Sequence, residues 1–307
     1  MDVVDASTAD AWIWAQLVPR DRRPALVTRS HGLEHVFWRS ELEAARAEGR
    51  PLSLRTRLYH GGWRLREVAR SLRLADACVF TNHGDLEYAV TRLGVLRERC
   101  AVVLNGIPAE FAGRPVRPAP ASGLTVATIG TWAARKGARH AASALTQLLS
   151  PGDARAVLLG TRTPPGTVLE AFPEPVRERV TVIPEYDRSE LPDLLADAQV
   201  LLSASLAEGF SLALPEAMAC GLAPVATDLP GAREVVRHDE NGLLVPPGDS
   251  VALGRTLCSL ARDRERLERL RRAAHATAQA LTWRRMAEGN LAVYERARRE
   301  RHDPAER

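Results

Sequence analysis

Of the 42 basic residues in this chain of 307, only Lys136 is a lysine. Cysteine is also scarce. Cys78, Cys100, Cys220 and Cys258 lie far apart with no C-x-x-C pair, so they read as four buried, reduced thiols of a cytoplasmic protein. No apolar run approaches the ~20 residues of a membrane helix, and the acidic start Asp2–Asp10 is unlike a signal peptide. No Asp-x-Asp occurs, so the acidic pair with which many transfer enzymes hold a divalent cation is missing; neither metal nor other cofactor is expected. Internal repeats of solenoid length are lacking too. The formal net charge of +4 is a mild excess, compatible with anionic substrates or an anionic membrane surface. Without a zinc knuckle, an RNA-binding sheet signature or an isolated basic tail, it gives no indication of nucleic acid.

What is present is an alternation of short apolar runs and amphipathic stretches, with 45% hydrophobic residues to fill one large core or two smaller ones. Strands are expected at 2–6, 25–29, 77–82 and 100–104, with helices at 11–18, from 34 onward, over 55–74 and over 85–93. A Pro- and Gly-rich stretch at 111–123 reads as a linker. The alternation then resumes with strands at 124–130, 156–160, 180–184, 199–205, 223–227 and 243–245. Charged helices fill 251–301. This rhythm predicts an α/β chain with mainly parallel sheets.

The stretch Glu208–Gly221, EGFSLALPEAMACG, organises the second half. It follows the apolar run Val200–Leu202, and Gly209 permits a sharp turn. Ser211 is placed to cap a helix that tolerates Pro215 in its first turn and stops at Gly221. Unpartnered first-turn amides suit a phosphate, and carboxylates beside such a point serve as acceptors for sugar hydroxyls.

With Glu208 and Glu216 at Glu-x7-Glu spacing, continuing through APVATDLPGAREVV and NGLLVPPGD to Asp249, the stretch resembles the retaining glycosyltransferases of family 4. That resemblance implies a GT-B fold, two Rossmann-like domains facing a cleft, here with an incomplete N-terminal domain. The expected division is a partial acceptor-side domain at 1–110, the linker at 111–123 and a nucleotide-sugar domain at 124–280. A C-terminal helix at 281–307 would pack back toward the first domain. The short first domain leaves three origins open: a fragment, a misplaced start or a reduced variant.

The implied donor site comprises Gly130, Thr131, Arg135 and Lys136 of GTWAARKG with Glu208, Gly209, Phe210, Ser211, Leu212 and Glu216. Lys136 would hold the donor diphosphate, supported by the amides of Phe210, Ser211 and Leu212. Family members commonly have an arginine where Thr131 stands, and Arg135 is the substitute cation. Glu216 would bind the ribose, and Glu208 the transferring sugar or its departing phosphate. The segment Pro184–Tyr186 would cradle the base. Glu208 and His31 are the catalytic candidates, His31 hydrogen-bonding the transferred sugar or positioning the acceptor; a structural strand-end histidine is the alternative. Glu34 reads as a helix-start acid and His83 as a weaker candidate.

The aromatic, arginine-rich helix 55–73 has two readings. One is peripheral contact with an anionic membrane at its inner face. The other, preferred, is a solvated helix packed through Leu58, Leu65 and Leu72. The function implied is transfer of a sugar from a nucleoside diphosphate sugar to a glycan, lipid or small-molecule acceptor with retention. A non-catalytic or partner-dependent nucleotide-sugar binder and a GT-B sugar-nucleotide epimerase stand as the alternatives.

Overall fold

The computed structural model describes residues 2–47, 49–118 and 123–302. They form two compact units. The first comprises the chain up to Gly106, the short segment Glu208–Phe210 and the chain from Trp283 onward; the second comprises Ile107–Ala207 and Ser211–Thr282.

The first unit is built on a four-stranded parallel sheet in the order β1-β2-β3-β4. Its strands are β1 (Val3–Ser7), β2 (Ala25–Arg29), β3 (Ala77–Phe80) and β4 (Cys100–Val102). β2 and β3 are buried at every residue, as continuous apolar runs in a parallel sheet require. One face packs Leu26, Leu33, Val68, Leu72 and Phe80. The other lies under the long helix Trp283–His302 through Val293 and Ala297.

That helix is also tied down by charge. Arg29 donates to Asp5 at 2.8 Å and to Asn290 at 2.9 Å. The Asp76 carboxylate, 2% exposed, accepts from Leu26 N (2.8 Å), Arg20 (2.5 Å), Arg23 (3.2 Å) and Arg301 (3.2 Å).

The second unit has a six-stranded parallel sheet, β5 (Leu124–Ile129), β6 (Ala154–Leu159), β7 (Val180–Ile183), β8 (Val200–Ser203), β9 (Ala223–Thr227) and β10 (Leu243–Val245). Its order, β10-β9-β8-β5-β6-β7, is that of a doubly wound Rossmann-like sheet. Helix Ala138–Leu149 shows why the helices pack. Ala141, Ala142, Leu145, Leu148 and Leu149 fall at helical spacing and are buried, joining Leu158, Val200 and Leu202 in one core.

The described part of the expected linker packs on this unit. Phe111 is fully buried, and Gly113 N donates to Gln279 Oε1 at 2.8 Å. Residues 119–122 of that linker and 303–307 of the expected terminal helix lie outside the described residues.

Three expectations are corrected. The single helix over 55–74 is an α-helical turn Leu54–Leu58, a π-helical turn Tyr59–Arg64 and an α-helix Leu65–Leu74. Within the π turn Trp38 packs on Gly61, where a Cβ would meet its Cζ2 at 2.4 Å. The helix is held through Val68, Ala69, Ser71 and Leu72, whereas Leu58 is 65% exposed. Of the four free thiols, Cys78 and Cys100 are buried and Cys220 and Cys258 only half-buried.

His35, half-buried in helix Glu34–Ala47, stands 5.9 Å from the Tyr88 ring, and its Nδ1 is buried with no hydrogen-bond partner among the described residues. Burial, with the Arg73 charge adding to it, lowers its pKa to about 4. Above its ordinary 6.5 both folded and unfolded chains hold it neutral; between there and about 4 only the unfolded chain takes up the proton, so stability drains as pH falls through that window. Denaturant titrations at stepped pH should show this slope, and His35→Phe should flatten it. An identical acid slope in the variant would contradict the assignment.

Candidate functional site

In the second unit the site forms where the sheet order reverses. β5 and β8 are neighbours, but their crossovers leave in opposite directions, which opens a crevice beyond their carboxyl ends. The loop after β5 begins at Gly130, whose N donates to Leu159 O at 2.8 Å, and tightens into the 3-10 turn Ala134–Lys136.

Gly137 then opens the next helix at φ +72°, in the left-handed region, and a Cβ there would lie 1.8 Å from the Ala204 carbonyl oxygen. Only glycine lets the two backbones meet so closely. Leu206 N donates to Arg135 O at 2.8 Å and Arg135 Nη1 to Ala207 O at 2.9 Å, which lashes the loop after β5 to the loop after β8. Arg135 therefore serves a structural tie, whatever else it does. Lys136 is half-buried and folds back over Gly130, so that a Cβ placed on that glycine would lie 4.0 Å from the lysine Nζ. A cavity of about 30 Å³, room for roughly one water, is lined there by Gly130, Thr131, Lys136 and Ser203–Ser205.

The helix after β8 spans Ala213–Ala219. The expected serine cap is not formed. Leu212 at φ −61° already has helical geometry, and among the described residues no side chain caps the turn; Ser211, 8% exposed, contributes its carbonyl to Leu214 N at 3.2 Å. Glu216 is buried within this helix at 5% exposure, and Arg188 Nη2 donates to its Oε1. Burial pushes the Glu216 carboxyl above the ordinary range, and the Arg188 charge and hydrogen bond pull it back. Tyr186, from the segment expected to cradle a base, lies against Gly160, whose Cβ would meet its Cε1 at 3.1 Å.

In the first unit, β2 runs into Ser30, exposed His31 and Gly32. The segment Glu208–Phe210, which belongs to this unit, lies backbone to backbone on them: a Cβ on Gly209 would fall 2.2 Å from His31 O and 2.4 Å from Gly32 Cα. Asn82 fixes this arrangement by donating from Nδ2 to Gly209 O at 2.8 Å and to Asp85 Oδ2 at 3.0 Å. Asp85 Oδ2 also accepts from Leu33 N at 2.9 Å. His31 and Glu208 thus flank one contact, whereas His83 sits exposed in the first turn of helix His83–Leu93.

Sequence reasoning missed Asn82, Asp85 and Arg188. Asn82-x-x-Asp85 is a helix-start pattern that could have been read, because Asn82 Oδ1 accepts from Asp85 N at 2.7 Å. Arg188 had no signal of its own, since its partner lies 28 residues away.

Residues 123–263 match the family model described as glycosyl transferases group 1. A D-inositol 3-phosphate glycosyltransferase of Xylanimonas cellulosilytica is 32% identical over 244 residues, covering 74% of this chain and 58% of its own length. A putative colanic acid biosynthesis glycosyltransferase of Escherichia coli K12 is 33% identical over 179 residues, 55% of this chain and 44% of the relative. The chain thus spans little more than half the length of the first and less than half of the second.

Among solved structures, sucrose-phosphate synthase from Thermosynechococcus elongatus superposes with a TM-score of 0.76 at 22% identity, covering 96% of this chain and 73% of that one. Anabaena HepE in complex with UDP-glucose gives 0.70 at 20% identity, covering 96% and 78%. These likenesses show the fold.

Gly137→Ala should cost about 2–4 kcal/mol, from left-handed strain plus a backbone clash that no rotamer relieves. Denaturant unfolding would measure it. A variant as stable as the parent would mean that the two loops do not meet as described.

Proposed function

We propose that this chain, which belongs to the glycosyl transferases group 1 family and has the GT-B fold, transfers a sugar from a nucleoside diphosphate sugar to an acceptor with retention. The observation that carries this reading is that the two crossovers at the switch point of one Rossmann-like sheet bring, respectively, a lysine folded over Gly130 and a buried carboxylate. A cation suits a diphosphate and a buried acceptor suits ribose hydroxyls, so together they fit a nucleotide. The complex of Anabaena HepE with UDP-glucose supports the same donor class.

In this reading Lys136 holds the diphosphate and stabilises the charge that develops on it as the sugar departs. The amides of Phe210, Ser211 and Leu212 contribute to the same anion, with Thr131 and Arg135 at its margin. Glu216 accepts from the ribose, and Glu208 contacts the transferring sugar. His31 hydrogen-bonds the transferred sugar or orients the acceptor. The acceptor belongs to the glycan, lipid or small-molecule hydroxyl compounds.

Lys136→Ala should weaken binding of UDP, GDP or ADP, whichever binds, by about 1.5–3 kcal/mol, the range for a hydrogen bond to a charged group. The matching nucleoside should bind almost as before. Lys136→Arg should recover only part of the loss, because a planar fork cannot replace a compact ammonium at crowded oxygens. Isothermal titration decides it: an alanine variant that binds the diphosphate as tightly as the parent would remove the phosphates from this loop.

The two glutamates separate binding from turnover. Glu216→Ala should weaken nucleoside diphosphate binding itself, while Glu208→Ala should lower turnover more than it weakens that binding. Small, equal effects from both would mean that neither carboxylate touches donor.

A further inference from the structure

Glu216 is buried, yet among the described residues its carboxylate hydrogen-bonds with one side chain only, Arg188, which donates from Nη2 to Oε1. The two come from different crossovers. Arg188 follows β7 and opens the turn Arg188–Glu190, which is braced by Asp187 N donating to Glu190 Oε2 at 2.8 Å; Glu216 follows β8. The pair is lopsided in exposure, the arginine side chain 53% exposed and the glutamate 7%. A carboxylate taken out of water needs a cation or several donors to stay charged, and here a single half-solvated guanidinium supplies both charge and hydrogen bond.

We propose that Arg188 is a positioning residue for the donor: by holding Oε1 it keeps Glu216 ionised and leaves Oε2 to accept from a ribose hydroxyl. This rests on the reading of Glu216 as the ribose acceptor. Arg188 acts through Glu216 and does not itself touch the nucleotide.

The other charged or titratable groups facing Glu216 leave Arg188 as its one favourable partner among the described residues. Tyr186 is pushed up by burial first and by Glu216 second. The Cys220 thiol is pushed up by burial to about 12 and stays neutral. Glu110 adds negative charge that disfavours the ionised Glu216. Arg114 and Asp193 pair with each other at 3.0 Å and act on Cys220 in opposite directions. With Arg188 removed, burial and Glu110 act unopposed, and Glu216 takes up a proton at a higher pH than before. A protonated carboxyl loses most of its strength as an acceptor for sugar hydroxyls.

The test is calorimetric titration of the parent, Arg188→Gln, Glu216→Gln and the double variant with UDP, GDP and ADP, continued with whichever binds, from about pH 5 to pH 8.5. The probe's own phosphate titration is common to all four proteins and cancels in the comparison.

In the parent, affinity should fall on the acid side as Glu216 protonates. In Arg188→Gln the midpoint of that fall should move up by about one pH unit, the low end of the range for an ionic neighbour because the guanidinium is half-solvated. The loss should therefore be large in acid and shrink toward alkaline pH. Arg188→Lys should restore the midpoint, since it keeps the charge. On the Glu216→Gln background, Arg188→Gln should change affinity by less than about twofold, because the group it acts through is gone.

A loss from Arg188→Gln that is equal at every pH and persists on the Glu216→Gln background would overturn the proposal and make Arg188 a direct donor contact. No loss at any pH would overturn it in favour of an exposed ion pair. Glu216→Gln binding as tightly as the parent would overturn the ribose reading itself and the proposal with it.

Discussion

The second unit depends on one close approach, that of the Gly137 backbone to the Ala204 carbonyl. Two central parallel strands, β5 and β8, send their crossovers to opposite sides, so the loops after them share a single crevice. They come closest where a side chain is missing, at Gly137. From that contact the rest is positioned. Arg135 closes the two loops through both its carbonyl and its guanidinium, and Lys136, next in the chain, is held at one end by the turn and reaches back to place its ammonium over Gly130. A loop braced on both flanks presents its cation at little further cost in entropy, which in the proposed reading is how this short segment of irregular backbone holds an anion.

Much of this was legible in the sequence, and for physical reasons. β2, β9 and β10 fall where expected because parallel strands buried on both faces must be short apolar runs, and ALVTR, APVAT and LLV are bounded by residues that cannot extend them. The Gly130 and Glu208 loops were legible because strand, turn chemistry and helix follow one another there.

What escaped was set by distant contacts. The π turn at Tyr59–Arg64 holds the close contact of Gly61 with Trp38, a residue 23 positions earlier, and no local propensity encodes that. Ser211 has the chemistry of a cap, but it is buried and the chain has already turned helical at Leu212. Leu58 fits the apolar periodicity, yet it lies at the surface. The Arg188–Glu216 pair joins two crossovers, and sequence spacing carries no trace of it.

The first unit turns on a different problem, how an arginine-rich terminal helix finds one register on a sheet. Its apolar contribution is thin, Val293 and Ala297 with Met286 and Tyr294 beside them. Apolar contact alone would tolerate sliding by a turn. The charged contacts do not: Asn290 and Tyr294 meet Arg29, whose guanidinium also holds Asp5, and further along the helix Arg301 meets buried Asp76. Buried ion pairs add little net stability because desolvation offsets their attraction, but a shifted register would take Asn290 and Tyr294 away from Arg29 and separate the largely buried Arg301 from Asp76. They select one alignment more than they strengthen it.

The same logic explains the division between the two kinds of cation. Several arginines of this chain are committed to geometry. Arg271, 2% exposed, donates to Gly221 O at 2.8 Å and to Arg117 O at 2.7 Å, Arg135 ties two loops, and three guanidiniums converge on Asp76. A planar fork is suited to this because it fixes direction as well as charge. Lys136 has a compact charge on a flexible stem, which in the proposed reading adjusts as an anion arrives or departs. In the proposed reaction the diphosphate gains charge as the sugar leaves, so the cation must tighten on it in the transition state. An ammonium on a stem anchored by its own turn can make that movement without loosening the crevice that Gly137 and Ala204 hold together.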